Sequence, residues 1–121
     1  MAREGEAPQS NQATEVRPER VWRCAACGRE IAFDRDRIPL EGAPSRAFVN
    51  PAGVEYVIAG FREASGCAGA GEPSSYWSWF DGFSWQVALC SGCGVHLGWS
   101  FTSEAERFYG LVLDRLSAPS A

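Results

Sequence analysis

Residues 77–101 read W-S-W-F-D-G-F-S-W-Q-V-A-L-C-S-G-C-G-V-H-L-G-W-S-F. They hold four of the five tryptophans, Trp77, Trp79, Trp85 and Trp99, and one pair of cysteines, Cys90 and Cys93. Read as a hairpin turning at Gly92, the stretch sets Trp85 opposite Trp99, Val87 opposite Leu97, Leu89 opposite Val95 and Phe83 opposite Phe101. These positions share a parity, so all project from one face of the paired strands. The other face carries Ser84, Gln86, Ala88, His96, Gly98 and Ser100, which are small or polar. Such alternation predicts a half-buried antiparallel pair, firm in register because a one-residue slip would invert the faces. The strand from knuckle to paired tryptophans measures roughly 20 Å. Whatever Cys90 and Cys93 bind therefore shapes the aromatic face from a distance and takes no part in what happens there.

Further out, Cys24-Ala25-Ala26-Cys27-Gly28 repeats the pattern of Cys90-Ser91-Gly92-Cys93-Gly94. Val21–Arg23 and Arg29–Phe33 flank the first copy as strands. In each knuckle the glycine after the second cysteine permits the positive φ that turns backbone amides toward sulfur. In a reducing compartment, paired C-x-x-C motifs are metal ligands before they are disulfides. Cys24, Cys27, Cys90 and Cys93 thus predict one tetrahedral, structural Zn2+ that ties the start of the fold to its end. Arg23 and Arg29 stand where they can offset the charge of four thiolates. The fifth cysteine, Cys67, is left over as an idle thiol.

Between the knuckles, Asp34–Ser45 lacks periodicity and reads as a loop, and Ala47–Val49 reads as a short strand. Asn50-Pro51-Ala52-Gly53 is a turn signal, and Val54–Phe61 is a strand. Arg62–Ser75, rich in Gly, Ala, Ser and Pro, reads as a surface loop. Phe80-Asp81-Gly82-Phe83 is the first corner of the Trp-rich region. A two-residue turn there puts Trp79 and Trp85 on opposite faces, whereas a three-residue loop pairs them. A shared pocket needs the second, or an irregular backbone. Thr102–Glu106 reads as a short helical turn, and Gly110 with the Val and Leu content of Phe108–Leu116 favours a closing strand over a short helix. Residues 1–18 are polar and read as a flexible tail, 19–116 as one domain and 117–121 as a second tail. The fold expected is mainly β, short antiparallel strands and long loops around one zinc held by four cysteines.

A chain of 121 residues has room for one modest core. Its eleven basic residues are all arginine and scattered, and the net charge is −4, so no nucleic-acid footprint stands out. No apolar run approaches the roughly 20 residues of a membrane span. The N-terminus, M-A-R-E-G-E-A-P-Q-S, lacks the apolar centre of a secretory signal, so the expected location is cytoplasmic.

Four motifs together carry a resemblance: N-P-x-G at Asn50–Gly53, S-W-F-x-G-x-x-W at Ser78–Trp85, C-x-x-C at Cys90 and Cys93, and H-x-G-W-x-F at His96–Phe101. They resemble the thalidomide-binding, or CULT, domain family of cereblon, over about residues 21–116, and the chain is similar to bacterial single-domain members. The resemblance implies two antiparallel sheets meeting at an angle (a β-tent), pinned by one structural zinc. It implies a pocket for a cyclic imide walled by Trp79, Trp85 and Trp99, with Phe101 at the base. Backbone groups around Trp77, Ser78 and Trp79 would bond the imide edge, and Asn50 and Pro51 would line the rim. The ligands implied are thalidomide-like glutarimides, cyclic imides at protein C-termini, and uracil-like rings. Position 77 is Trp where the human member has His, a change that a backbone contact tolerates. The chain has no room for a Lon-like domain or ligase-adaptor helices, so no ubiquitin-ligase adaptor is expected.

Two other functions compete. One is an aromatic-cage reader of methylated ammonium groups, which profits from a wall carboxylate; Asp81 is the near candidate. The other is an enzyme resembling methionine-sulfoxide reductases, which needs a nucleophilic cysteine, and only Cys67 is free. The imide-binding reading expects no catalysis. His96, on the polar face, reads as a structural histidine, because four thiolates already fill a tetrahedral shell.

Overall fold

The two C-x-x-C-G segments fold as tight turns of the same build. In the computed structural model, which describes residues 19–120, Cys24 N donates to Arg29 O (2.9 Å) and Gly28 N to Cys24 O (2.8 Å). Cys90 N likewise donates to Val95 O (2.8 Å) and Gly94 N to Cys90 O (2.8 Å). Gly28 and Gly94 have φ of 83° and 80°, a region where a Cβ is strained. The expected N-terminal tail, residues 1–18, lies outside the described residues.

Ten strands follow in chain order: β1 (Val21–Cys24), β2 (Glu30–Phe33), β3 (Arg37–Ile38), β4 (Ser45–Val49), β5 (Glu55–Phe61), β6 (Cys67–Ser74), β7 (Ser84–Cys90), β8 (His96–Thr102), β9 (Arg107–Val112) and β10 (Leu116–Ser117). A large antiparallel sheet runs β3-β5-β9-β8-β7-β6, with β4 also paired to β5, and a small one runs β10-β1-β2. No helix among the described residues is long and apolar enough to cross a membrane.

The large sheet has a core on each face. One apolar cluster gathers Ala59, Phe61, Ala88, Leu97, Tyr109 and Leu111 with Ile31, Ala32 and Leu116 of the small sheet, and reaches the knuckle residues Cys24 and Cys90. The other gathers Leu40, Ile58, Phe101, Phe108 and Val112 beneath Phe48, Phe80, Phe83 and three of the tryptophans. Strands covered on both sides explain why the face expected to be polar is not solvent-facing. Ala88 is 1% and Ser100 6% exposed, because small residues there let the sheet meet a second layer.

Several elements differ from the sequence reading. Arg62–Ser75 is not a loop throughout, since Cys67–Ser74 forms β6 at the sheet edge. Its poor strand composition is tolerated because β7 supplies the ladder partners. Gln86 also lies across β6, donating Nε2 to Gly71 O (2.8 Å), in space that a Cβ at Gly69 would occupy 2.5 Å from Gln86 Oε1. Asp34–Ser45 contains a 3-10 turn, β3 and the buried Leu40. Thr102–Glu106 is a hairpin turn, not a helical one: Ser103 N donates to Glu106 O (2.8 Å), and Ser103 Oγ accepts from the amides of Ala105 and Glu106.

The β7–β8 register is offset by two from the symmetric reading. Trp85 opposes Phe101 and Val87 opposes Trp99, with an irregularity between Ala88 and Leu89. An even offset keeps the parity, so Trp85, Val87, Trp99 and Phe101 still share a face. Leu97 is the extra residue, since Ala88 pairs with Gly98 and Leu89 with His96. Such a bulge re-aims the side chains beside it, and here it brings His96 to the Trp99 side.

Gly98 sits in this bulged region against β9. A Cβ built there would lie 2.2 Å from Gly110 O and 2.8 Å from Leu111 Cα, both backbone atoms that cannot rotate away. Gly98→Ala is expected to lower stability by about 3 kcal/mol, the upper range for overpacking, read as a shift in the urea midpoint. A loss under about 1 kcal/mol would show that β8 and β9 separate easily.

Candidate functional site

The segment before β7 is short of regular structure for a local reason. Trp77 adopts φ 55°, a left-handed conformation that is costly for a bulky residue. Three indole N–H groups hold it there. Trp77 Nε1 and Trp79 Nε1 both donate to Val49 O (3.1 and 3.0 Å), and Trp85 Nε1 donates to Tyr76 O (2.7 Å). The corner at Phe80–Phe83 closes with Phe83 N to Phe80 O (3.1 Å) and Gly82 at φ 83°. The backbone is therefore irregular where the sequence left a regular hairpin open, and Trp79 and Trp85 reach one cavity.

That cavity measures about 410 Å³, within the common range for small-ligand sites. The irregular segment contributes Tyr76, Trp77 and Trp79. Strand β7 contributes Trp85 and Val87, and β8 contributes His96, Trp99 and Phe101. The turn after β4 contributes Asn50 and Pro51, and β5 contributes Tyr56. Trp99 is the centre of the wall. Its ring meets Trp79 at 4.9 Å and 76°, Tyr56 at 5.1 Å and 78°, and His96 at 4.8 Å and 90°. Phe48 stacks on the outer side of Trp79 at 5.0 Å and 17°, fixing that indole from behind. Edge-to-face contacts of this kind set the rings rigidly.

The rim turn is fixed too. Gly53 N donates to Asn50 O (2.9 Å), and Asn50 Oδ1 accepts from Val54 N (2.9 Å), which leaves the Asn50 amide N–H2 for other partners. No Asp, Glu or Arg among the described residues lines the cavity, so its recognition of a guest rests on rings, backbone and neutral polar atoms. Ser78 is not in the lining. Its Oγ donates to Phe80 O (3.0 Å), and it borders a separate, shallow depression with Asp81 and Glu104. Sequence reasoning did not name Tyr56, Tyr76, Val87 or His96 as lining. Val87 was legible by parity with Trp85. His96 was not, because only the bulge turns it inward.

The four cysteines of the knuckles also converge. All four Sγ atoms lie within 4.8 Å of one another, with Cys24 to Cys93 at 3.7 Å and Cys27 to Cys90 at 3.6 Å. Four sulfurs at about 2.3 Å from a central ion would stand about 3.8 Å apart in a tetrahedron, so the donor set fits such an ion. Around Cys90, the amides of Gly92 and Cys93 point at Sγ (3.4 and 3.5 Å). Burial alone would raise the Cys90 thiol, but these amides and the neighbouring thiols bring it down to about 6. A thiol that ionises this readily is poised to bind metal. Of the two arginines expected to offset thiolate charge, Arg29 packs over the knuckle, where its Cδ would stand 2.9 Å from a Cβ at Gly92. Arg23 instead pairs with Glu30 (3.2 Å).

No family model matches the sequence. Among curated proteins the chain is similar to cereblon of Xenopus tropicalis, 37% identical over 78 residues, which is 60% of this chain and 17% of that protein. Cereblon of Drosophila pseudoobscura pseudoobscura is 30% identical over 105 residues, 80% of this chain and 17% of that protein. The chain belongs to the cereblon family. Cereblon of Gallus gallus matches at 36% over 78 residues, 60% of this chain and 18% of that protein. The chain thus spans less than a fifth of the length of the cereblons it matches. In this cereblon-family domain, the β7–β8 hairpin contributes to both places: Cys90 and Cys93 of the four-cysteine cluster at its turn, and Trp85, Val87, His96, Trp99 and Phe101 of the aromatic cavity along its strands.

Proposed function

We propose that this domain binds small, neutral cyclic imides in the tryptophan-walled cavity, and that a structural Zn2+ in the four-cysteine site holds the scaffold without touching the guest. Trp79, Trp85 and Trp99 would cover the ring methylenes, with Phe101 beneath them. Backbone groups of the Trp77–Trp79 segment would meet the acceptor–donor–acceptor edge, and Asn50 and Pro51 would border whatever projects from the mouth. Guests of this class are glutarimides, thalidomide-like compounds, protein C-termini cyclised to imides, and uracil-like rings. The observation that carries the reading is a rigid aromatic wall without charge. Trp79 and Trp85 have their N–H groups bonded to Val49 O and Tyr76 O, and among the described residues no acidic or arginine side chain is in the lining. Such a wall can bury the methylenes of an uncharged flat ring, and it offers a cation no carboxylate partner.

The same facts weigh against the rival readings. A methylammonium reader profits from a carboxylate, yet Asp81 borders the other depression. A thiol enzyme needs a reactive cysteine in the cavity. Cys67 lies on β6 outside the lining, and burial, with Cys90 nearby, pushes its thiol up to about 12. It stays protonated and a poor nucleophile near neutral pH. The domain is accordingly read as a binding module and not an enzyme. It needs a compartment reducing enough to keep four thiols metal-bound, which the cytoplasm provides.

The test is tryptophan-fluorescence titration with glutarimide, N-methylglutarimide and tetramethylammonium. Glutarimide is expected to quench saturably. The N-methyl analogue should bind at least about 10-fold more weakly, because it leaves a buried acceptor unpaired. Saturation by the ammonium ion alone would overturn the assignment.

A further inference from the structure

Exposure marks the mouth of the cavity. Most of the lining is buried or half-buried, and its exposed members are Pro51, Tyr76 and Trp77. A side chain that both lines a cavity and meets solvent stands at the opening. Tyr76 is 67% and Trp77 53% exposed, and their rings lie 6.3 Å apart at 46°. Two further exposed apolar side chains adjoin them. Val49 carries the carbonyl that receives Trp77 Nε1 (3.1 Å), and Val54 donates its amide to Asn50 Oδ1 beside Pro51 (2.9 Å). Among the described residues, Val49, Val54, Tyr76 and Trp77 are four of the five exposed large hydrophobic side chains, Val57 being the fifth. Such groups scattered singly mean little, but gathered around an opening they mark a contact surface. The surface is also held still, since Trp77 is fixed by its indole bond and by its left-handed backbone. Rings set before binding give contact area at a low entropy cost.

We infer that this rim reads the residue preceding a cyclic imide at a protein C-terminus, and that it selects an aromatic side chain there through Tyr76 and Trp77. This rests on the imide-binding reading and carries it from the ring inside the cavity to the chain outside. In a C-terminal imide, the ring is joined to the preceding residue through an amide on the carbon beside one ring carbonyl. With the imide edge at the Trp77–Trp79 backbone, that amide leaves through the mouth. The preceding side chain then starts a few bonds further out, level with Pro51, Tyr76 and Trp77. An aromatic side chain at that place buries apolar area against two rings and gains offset or edge-on contacts with them. A carboxylate would surrender hydration and find no cation, because no arginine lines the cavity among the described residues. A free imide with no chain attached would leave the rim idle.

The test is calorimetric titration with glutarimide and with three capped peptides that end in an aminoglutarimide ring and differ only in the preceding residue, Phe, Gly or Asp. The wild type is expected to bind the Phe peptide ~10-fold more tightly than the Gly peptide, about the worth of one aromatic pair, and the Asp peptide more weakly than either. In Tyr76→Ala and in Trp77→Asn, the Phe-to-Gly ratio is expected to fall to within about threefold of unity. Asn is used at position 77 because it tolerates the left-handed backbone there. A ratio taken within one variant cancels any change in its overall affinity, so a weakened cavity does not imitate the result. Equal wild-type affinities for the Phe and Gly peptides, or a ratio unchanged in both variants, would overturn the role of the rim and leave the imide reading standing. Binding of glutarimide with no binding of any peptide would do the same, and would make a free small imide the guest. Failure of glutarimide and all three peptides to bind would sink both readings.

Discussion

Removing the metal is expected to unfold the domain. Cys24 ends β1 and Cys27 lies in the turn between β1 and β2 of the small sheet, while Cys90 ends β7 and Cys93 lies in the turn between β7 and β8 of the large sheet. An ion held by all four would therefore link two sheets whose shared core is modest. Structural zinc contributes about 10–16 kcal/mol in small domains, which is as large as the whole net stability of a typical domain, about 5–15 kcal/mol. Excess chelator, or Cys90→Ser, should abolish the cooperative thermal transition and collapse near-ultraviolet dichroism, and zinc readdition should restore the chelated protein only. Acid should act in the same direction. The metal-free thiols offset one another, Cys90 being lowered to about 6 and its neighbour Cys27 raised to about 11, so the acid sensitivity comes from the metal. Protons compete with it for all four sulfurs. A chelated protein that melts as the native one does would mean that the shared apolar cluster holds the sheets without the ion.

The second large effect belongs to Trp99. Its ring touches Trp79, Tyr56 and His96, so removing it takes away one wall and the support of its neighbours. Its backbone stays paired with Val87 and Gly110, so the strand remains. Trp99→Ala is expected to weaken glutarimide binding by at least ~100-fold, in line with the loss of a central aromatic anchor. The melting temperature should fall by only several degrees, since the ring is partly exposed and faces a cavity. Calorimetric titration beside a thermal scan separates the two. Affinity within about threefold of wild type, less than one hydrogen bond is worth, would place the guest elsewhere.

These two sites were legible to different degrees. The knuckles were readable because their chemistry is local: two cysteines and a glycine at fixed spacing specify the turn whatever surrounds it. The shared face of Trp85, Val87, Trp99 and Phe101 was readable from parity, which survives an even register error. The register itself was not, because Leu97 continues an apolar alternation with Val95, Trp99 and Phe101 and nothing in that pattern marks it as the unpaired residue. The position of His96 was lost with it. Strand β6 was hidden by its glycines and Pro73, which an edge strand accepts when its partner is strong. The left-handed Trp77 was hidden because no residue type announces it; only the combined pull of Val49 O and Tyr76 O holds it there.

The shared acceptor at Val49 has a consequence for mutagenesis. Its side chain is 47% exposed and does not line the cavity, so an alanine scan would score the position as silent. Yet its carbonyl receives both Trp77 and Trp79, filling the two lone pairs that such an oxygen offers. Only a change of the main chain itself, such as an amide-to-ester replacement that weakens this oxygen, would expose the dependence. Because two walls hang from one atom, they would be expected to loosen in a single step.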